Sequence, residues 1–267
     1  MTLQVLCVFA FLSSLSACDR GDAAVPHVAR SRIVDSSGGT VALGIGSATA
    51  YRPTGAAGGE VAGIITLQGS PTDSVVAVGK DAKVCGDSAA VNETATNGSS
   101  LANVLVWVDD VSTGKPLPEV RRETLTIERC RFVPRIMAVV AKTTINVFSR
   151  DPLTHWPKFY REGGEEPIES IHTVDAGQVV PSEKIAAQPG IVEVRCAEHP
   201  FARAYIAVFD HPYFALTDDQ GAFKIDGLPA GTYNVKVWRE RLAKPMEQRV
   251  VVGPGGTAHL NATLALK

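Results

Sequence analysis

The chain has 267 residues, a formal net charge of −2 and 45% hydrophobic residues, enough for one or two packed domains and a tail. The near-neutral charge and the lack of a basic stripe argue against a nucleic-acid partner. Glycine (24) and proline (16) are frequent, and short β-branched runs lie between turn residues, so the sequence predicts an all-β protein.

The first 18 residues are expected to be a targeting segment. Residues 3–18 read LQVLCVFAFLSSLSAC, an apolar stretch that is too short to span a bilayer permanently. Its end, LSAC, resembles the cleavage box of bacterial lipoproteins, although no Lys or Arg precedes it. The resemblance implies that Cys18 is lipidated and that the protein is periplasmic or otherwise extracytoplasmic and anchored to a membrane. A buried N-terminal strand is the alternative.

Residues 19–58 are expected to form a flexible tether, because they consist mostly of small residues, Gly and Ser. The body then begins with EVAGIITLQG at 60–69. Further strand-like runs follow at 103–111, 123–134, 135–151, 190–199 and 202–211. In most of them Val, Ile and Thr alternate with polar residues, which is the pattern of half-buried antiparallel strands. The sequence thus predicts a β-sandwich over 59–211.

The C-terminal part, 212–267, has a different pattern of turns and short strands. Its segment TDDQGAFKIDGLPAGTYNVKVW at 217–238 resembles carboxypeptidase regulatory-like domains, which are small transthyretin-like β-sandwiches. About five strands are predicted here, fewer than such a sandwich needs. Strands from 60–118 resemble the opening strands of that module, so they are candidates to complete the C-terminal sheet. Two abutting domains are the simpler alternative.

Two segments carry residues that suit a copper ion. INVFSRDPLTHW ends a predicted strand and presents His155, while GIVEVRCAEHPFARAYI presents Cys196 and His199 between two strands. Two imidazoles and a thiolate are the in-plane ligands of blue-copper sites, in which a weak axial thioether is the usual fourth ligand. The layout over about 135–212 resembles that of cupredoxins, in particular plastocyanin-like and methylamine-utilisation-like bacterial proteins. The resemblance implies a Greek-key β-sandwich with one copper ion held by His155, Cys196 and His199.

This sequence departs from the cupredoxin pattern at two positions. Ala202 stands where those proteins have the axial methionine, and Ser149 stands where an asparagine often precedes the histidine loop. Because the axial bond is long and weak, its loss is expected to alter a copper site more than to abolish it. We expect Ala202 to line a gap above the ligand plane. The alternative is a drifted cupredoxin-like shell without metal.

The cysteines of the folded part are odd in number: Cys85, Cys130 and Cys196. An exported protein meets an oxidising compartment, so two of the three are expected to pair. Cys196, in its CxxH context, is the one expected to remain free as a thiolate ligand. A disulfide between Cys85 and Cys130 would then stabilise the fold by about 4 kcal/mol in the loop-entropy model. Two reduced, buried cysteines are the alternative.

The sequence therefore predicts an extracytoplasmic copper-binding protein, most simply an electron carrier, whose redox partner it does not identify. No GxSxG, HExxH or P-loop motif is present, so an enzyme is not expected. The competing hypothesis is a metal-free structural protein that uses its β-sandwiches to bind a protein partner or a glycan.

Replacement of Cys18 tests the lipid anchor. We expect the Cys18→Ala protein to be unprocessed or to leave the membrane fraction, because the thiol that carries the lipid is lost. Fractionation of cells and an immunoblot measure this. Unchanged processing and membrane association of the variant would reject lipidation.

Overall fold

The computed structural model describes residues 32–34, 40–43, 45–46, 49–55, 58–70, 74–91, 94–172, 174–240, 242 and 245–265. The predicted signal peptide with Cys18 and much of the predicted tether lie outside these residues. In the part of the chain that the structure describes, no helix is both long enough and apolar enough to cross a membrane. The described elements are 25 short strands and one four-residue helix, which confirms the all-β prediction.

The N-terminal elements are β1 (Arg32–Val34), β2 (Thr40–Ala42), β3 (Arg52–Pro53), β4 (Gly59–Leu67), β5 (Val75–Ala77), α1 (Ala82–Cys85), β6 (Ser88–Ala90), β7 (Thr96–Asn97), β8 (Ser100–Leu101), β9 (Leu105–Val108) and β10 (Thr113–Gly114). The middle elements are β11 (Arg122–Glu128), β12 (Arg131–Val133), β13 (Ile136–Val140), β14 (Thr143–Ser149), β15 (Pro157–Arg161), β16 (Pro167–Ser170), β17 (Val179–Ala186), β18 (Gly190–Cys196) and β19 (Arg203–Phe209). The C-terminal elements are β20 (Phe214–Leu216), β21 (Ala222–Leu228), β22 (Gly231–Trp238), β23 (Met246–Val252), β24 (Thr257–His259) and β25 (Ala262–Leu264).

The middle strands form one β-sandwich, which we call the first sandwich. One sheet has the order β12-β11-β14-β17, and the other has the order β13-β19-β18-β15-β16. Their inner faces share a hydrophobic core that includes Leu125, Val147, Phe159, Val194 and Ile206. Most neighbours are antiparallel, but β11 with β14 and β13 with β19 are parallel pairs, so the chain crosses between the sheets.

Two predicted strand-like runs are each divided in the structure. The run 123–134 is a hairpin, because Arg129 and Cys130 adopt left-handed φ angles of 52° and 58° and reverse the chain between β11 and β12. The run 135–151 is split near Lys142, which has a φ of 67°, and its halves β13 and β14 join opposite sheets. The sequence offered no glycine at any of these three positions, so the turns were not evident from its pattern.

The N-terminal and C-terminal strands together form the second sandwich. One sheet has the order β20-β9-β22-β23. In the other, β4 pairs with β21 and β8 in antiparallel fashion and with β24 and β25 in parallel fashion. Strands from 60–118 therefore lie in the C-terminal sheets, and the first sandwich is inserted between them. Of the two arrangements that the sequence left open, the structure has the interleaved one.

The sheet that contains β13, β18 and β19 is buried on both faces. Val192, Ala204 and Val208 point into the core of the first sandwich. Ile191 and Phe209, on the opposite face, belong to the core of the second sandwich. Burial on both sides explains the nearly continuous apolar runs of β13 and β19, which differ from the alternating pattern of a half-buried strand. Strand β18 is apolar at Ile191 and Val192 but carries Glu193 and Arg195 further along. The two sandwiches thus share this sheet as a common wall.

His211 lies at the junction of the two sandwiches, directly after the shared sheet. It is buried, its ring lies beside those of Tyr51, Phe209 and Tyr213, and its Nδ1 accepts a hydrogen bond from the backbone N–H of Tyr213 at 3.1 Å. Burial lowers the pKa of His211 from 6.5 to about 4. The folded protein therefore holds this imidazole neutral at pH 5–7.

Replacement of His211 is expected to change how stability depends on pH. The folded pKa is lower than the unfolded one, so the contribution of His211 is present above about pH 6.5 and is lost as the pH falls towards 4. His211→Asn keeps an acceptor for Tyr213 but does not titrate. Urea unfolding at pH 7.5 and at pH 5.0 should show a smaller loss of unfolding free energy in the variant than in the parent.

The matched control for this experiment is His259→Asn, because His259 is an exposed histidine on β24. The control should retain the pH dependence of the parent. An equal loss of stability for the parent and for His211→Asn would contradict a neutral, buried His211.

Candidate metal centre

Strand pairing brings the three predicted ligands to one end of the first sandwich. Cys196 is the last residue of β18 and lies opposite Pro157, the first residue of β15. His155 comes two residues before Pro157, and its carbonyl accepts a hydrogen bond from the N–H of Val174. The antiparallel register of β15 and β18 therefore places His155 beside Cys196, although 41 residues separate them in sequence.

His199 reaches the same place through a tight turn between β18 and β19. The N–H of Ala202 donates to the carbonyl of His199 at 2.8 Å, and the N–H of Cys196 donates to the carbonyl of Ala202 at 3.3 Å. These two bonds close the loop of the CxxH motif. They direct the side chains of Cys196 and His199 towards a common point.

The three donor atoms converge. Sγ of Cys196 lies 4.0 Å from Nδ1 of His155 and 3.6 Å from Nδ1 of His199, and one donor atom from each residue lies within 4.8 Å of the others. Metal–nitrogen and metal–sulfur bonds of about 2.0 and 2.3 Å would place such donors about 3.5–4 Å apart in a trigonal plane. The side chains are thus arranged as a three-coordinate metal site requires, and all three residues are at most 3% exposed.

Burial favours the neutral forms of Cys196 and His155. It raises the pKa of the Cys196 thiol, against backbone groups of Trp156, His199 and Glu198 that favour the thiolate. It also lowers the pKa of His155, although the neighbouring Asp151 acts in the opposite direction. A neutral imidazole is ready to bind a metal, whereas the thiol must lose its proton when a metal binds.

Two carboxylates, which the sequence reasoning missed, contact the outer edges of the imidazoles. Oδ2 of Asp151 lies 2.9 Å from Nε2 of His155, and Oδ2 of Asp81 lies 3.2 Å from Nε2 of His199. Asp151 stands four residues before His155, so its position was a possible signal. Asp81 lies 118 residues from His199 in sequence, and only the tertiary structure brings them together.

The predicted disulfide is present and lies against the site. Cys85 and Cys130 are bonded across a sequence separation of 45 residues, and Cys196 is the free cysteine among the described residues. The sulfur atoms of Cys85 and Cys130 lie within 4.8 Å of a ring nitrogen of His199. The bond therefore joins α1 to the β11–β12 turn directly behind one of the candidate ligands.

Ala202 is buried and packs in the same hydrophobic core as Cys196 and Met137. It also lines a pocket of about 370 Å³, together with Phe132, Phe201, Arg203 and other residues at the boundary of the two sandwiches. His155, Cys196 and His199 are not part of that lining. This pocket therefore does not reach the ligand atoms, and a gap at Ala202 above the ligand plane stays a prediction.

Comparison with solved structures gives similarities to copper proteins. A purple cupredoxin from Nitrosopumilus maritimus is 15% identical, with a TM-score of 0.28 and coverage of 32% of this chain and 97% of that one. A copper-containing nitrite reductase from Thermus scotoductus SA-01 is 17% identical, with a TM-score of 0.29 and coverage of 44% and 25%. A proline-to-glycine mutant of amicyanin, in its reduced Cu(I) form, is 16% identical, with a TM-score of 0.30 and coverage of 39% and 97%.

Comparison with curated proteins gives no match. A family model matches residues 190–265, a range that begins at β18 of the first sandwich and continues through the C-terminal strands of the second. The segment 217–238, on which the sequence resemblance was based, lies within it. Over residues 190–265, this chain is therefore similar to the carboxypeptidase regulatory-like domain.

Proposed function

We propose that this chain is an extracytoplasmic, membrane-anchored protein that binds one copper ion through His155, Cys196 and His199 and carries electrons. The observation that supports this most is the convergence of two imidazole Nδ1 atoms and one thiol sulfur in a buried cluster. The buried Cys85–Cys130 disulfide agrees with folding in an oxidising compartment.

The donor set fits copper better than other common metals. A thiolate favours Cu(I), and imidazole suits both oxidation states, so this mixture retains copper in each. Structural zinc sites usually have four protein ligands, and the cluster has three. Oxygen-preferring ions such as Mg²⁺ and Ca²⁺ would not select a thiol. Copper bound at this position would supply one-electron chemistry.

The residues of the chain provide a rigid and dry environment for that chemistry. His155 and Cys196 are tied to paired strands, and His199 is fixed by the hydrogen-bonded turn to Ala202. The three side chains are almost completely shielded from solvent, which excludes competing water ligands. A site that keeps the same geometry in both oxidation states suits electron transfer, and we propose this role rather than an enzymatic one.

Copper titration of the metal-free full chain tests the proposal. We expect binding of one equivalent and an intense thiolate-to-copper visible band. Cys196→Ser should lose the band and bind copper at least about 100-fold more weakly, because a direct ligand contributes more than its hydrogen-bonding partners do. The control His172→Asn replaces an exposed histidine outside the cluster and should behave like the parent. A parent protein without stoichiometric copper binding would favour the metal-free binding module instead.

The axial position is tested by Ala202→Met with Ala202→Leu as a control of similar size. If the methionine sulfur reaches the copper, the spectrum should shift towards that of a conventional blue site, and affinity should rise by no more than about tenfold because the axial bond is weak. Leucine should alter packing without shifting the spectrum in this way. Identical spectra for the two variants would show that residue 202 does not face the metal.

A further inference from the structure

We propose that Asp81 and Asp151 are positioning residues that hold both imidazoles with Nδ1 towards Cys196, and that the Cys85–Cys130 disulfide joins the two carboxylates into one frame. This inference rests on the proposed copper site and specifies how the chain prepares it. The observations that support it concern the groups that surround the two outer nitrogen atoms.

Asp151 is held by several donors at once. Its Oδ1 accepts the backbone N–H of Arg129 at 2.6 Å, and its Oδ2 accepts the backbone N–H of Cys130 at 2.7 Å. Nε2 of His155 donates to the same Oδ2 at 2.9 Å. With 4% exposure and three donors around it, this carboxylate cannot rotate without losing hydrogen bonds in a buried setting. It therefore fixes the plane and the tautomer of His155.

The turn that donates to Asp151 has an unfavourable backbone. Arg129 and Cys130 occupy the two central positions of the β11–β12 hairpin with φ angles of 52° and 58°. Such turns prefer Asn and Gly at these positions, because other residues are strained there. A conformation of this kind persists only when its surroundings determine it, and it is common at functional sites. Here the surroundings are the Asp151 carboxylate and the disulfide at Cys130.

Asp81 departs from the usual behaviour of its position. It is the N-cap residue of α1, where an aspartate side chain normally accepts a backbone N–H of the first helical turn. Its backbone carbonyl accepts the N–H groups of Val84 and Cys85, but its side chain makes no capping bond. The carboxylate instead reaches Nε2 of His199 at 3.2 Å. A local stabilising interaction is thus exchanged for a contact with a candidate ligand.

The disulfide links these two supports. Cys85 is the last residue of α1, four residues after Asp81, and Cys130 is the second residue of the strained turn. The flanking hairpin of β5 and β6 offers α1 little apolar anchoring, because the three residues of β5 are all exposed. The bond to Cys130 therefore fixes the place of α1, and with it the distance from Asp81 to His199.

The arrangement has a consequence for the metal-free protein. If Nε2 of each imidazole donates to a carboxylate, the proton lies on Nε2 and the lone pair of Nδ1 faces Cys196. Both histidines then present the nitrogen that a metal needs before any metal arrives. A purely structural role for Asp81 and Asp151 would not require one particular tautomer.

The first test uses the metal-free full chain with ¹⁵N-labelled histidine. The ring nitrogen shifts of His155 and His199 should show the Nε2–H tautomer in the parent. Asp81→Ala should give mixed tautomers for His199 alone, and Asp81→Asn, which keeps an acceptor oxygen, should restore the single tautomer. The control Glu183→Gln removes an exposed carboxylate on β17, outside the cluster. Unchanged tautomers in Asp81→Ala would overturn the proposal.

The second test measures copper binding. We expect Asp81→Ala and Asp151→Ala to weaken copper binding by about 10–100-fold and to shift the visible band, whereas the control Glu183→Gln should not. Parent-like affinity and spectrum in both aspartate variants would overturn the positioning role. If the parent itself binds no copper, the proposed function fails, and the tautomer measurement still decides whether the carboxylates position the imidazoles.

The role of the disulfide is tested by non-additivity. Removal of the bond in the double variant Cys85→Ala/Cys130→Ala should weaken copper binding. In that background, Asp81→Ala should weaken copper binding much less than it does in the parent. Fully additive effects would show that the disulfide does not act through Asp81. If the double variant does not fold, the disulfide of the parent is partially reduced instead. Exchange broadening of the His199 ring-nitrogen signals on reduction supports the link, and unchanged signals contradict it.

Discussion

The burial of one sheet on both of its faces is the constraint on which the rest of this structure depends. Strands β13, β18 and β19 separate two hydrophobic cores: Met137, Val192 and Val208 pack into one, and Ile136, Ile191 and Phe209 pack into the other. Because the C-terminal strands follow directly from β19 and pair with strands that precede the first sandwich, the second sandwich is complete only when segments from both ends of the chain come together. This wall gives the CxxH loop a rigid base, since Cys196 ends β18 and the loop returns at once into β19.

The candidate site shows how a buried group of polar side chains is made tolerable. Two histidines and a thiol are removed from water, which costs free energy unless each polar atom finds a partner. The outer nitrogens find the carboxylates of Asp81 and Asp151, and the sulfur receives backbone hydrogen bonds. Within the part of the chain that the structure describes, the polar neighbour of each Nδ1 atom is the sulfur of Cys196. A site with its outer edges satisfied and its inner edges directed at a common point is suited to a metal ion.

The candidate site is organised at two levels: the ligands come from one sandwich, and the helix α1 that encloses them comes from outside it. Strand pairing within the first sandwich brings together His155, Cys196 and His199. The segment that supplies Asp81 and Cys85 comes from before the inserted sandwich, between β5 and β6. The interleaved topology therefore does more than complete a sheet. It brings a covering element from the N-terminal part of the chain onto His199, which lies 118 residues after Asp81.

The sequence by itself determined the all-β class and predicted the pairing of Cys85 with Cys130, from alternating strands, an odd cysteine count and the CxxH context of Cys196. Its resemblance to cupredoxins implied that His155, Cys196 and His199 meet at one site. It did not determine the turns at Arg129–Cys130 and near Lys142, because residues other than glycine occupy left-handed conformations there, and tertiary contacts override local preference. It suggested but did not decide the interleaving of the sandwiches, and it gave no sign of Asp81. Strand partners and long-range hydrogen bonds depend on which surfaces are buried together, and that information exists only in the folded chain.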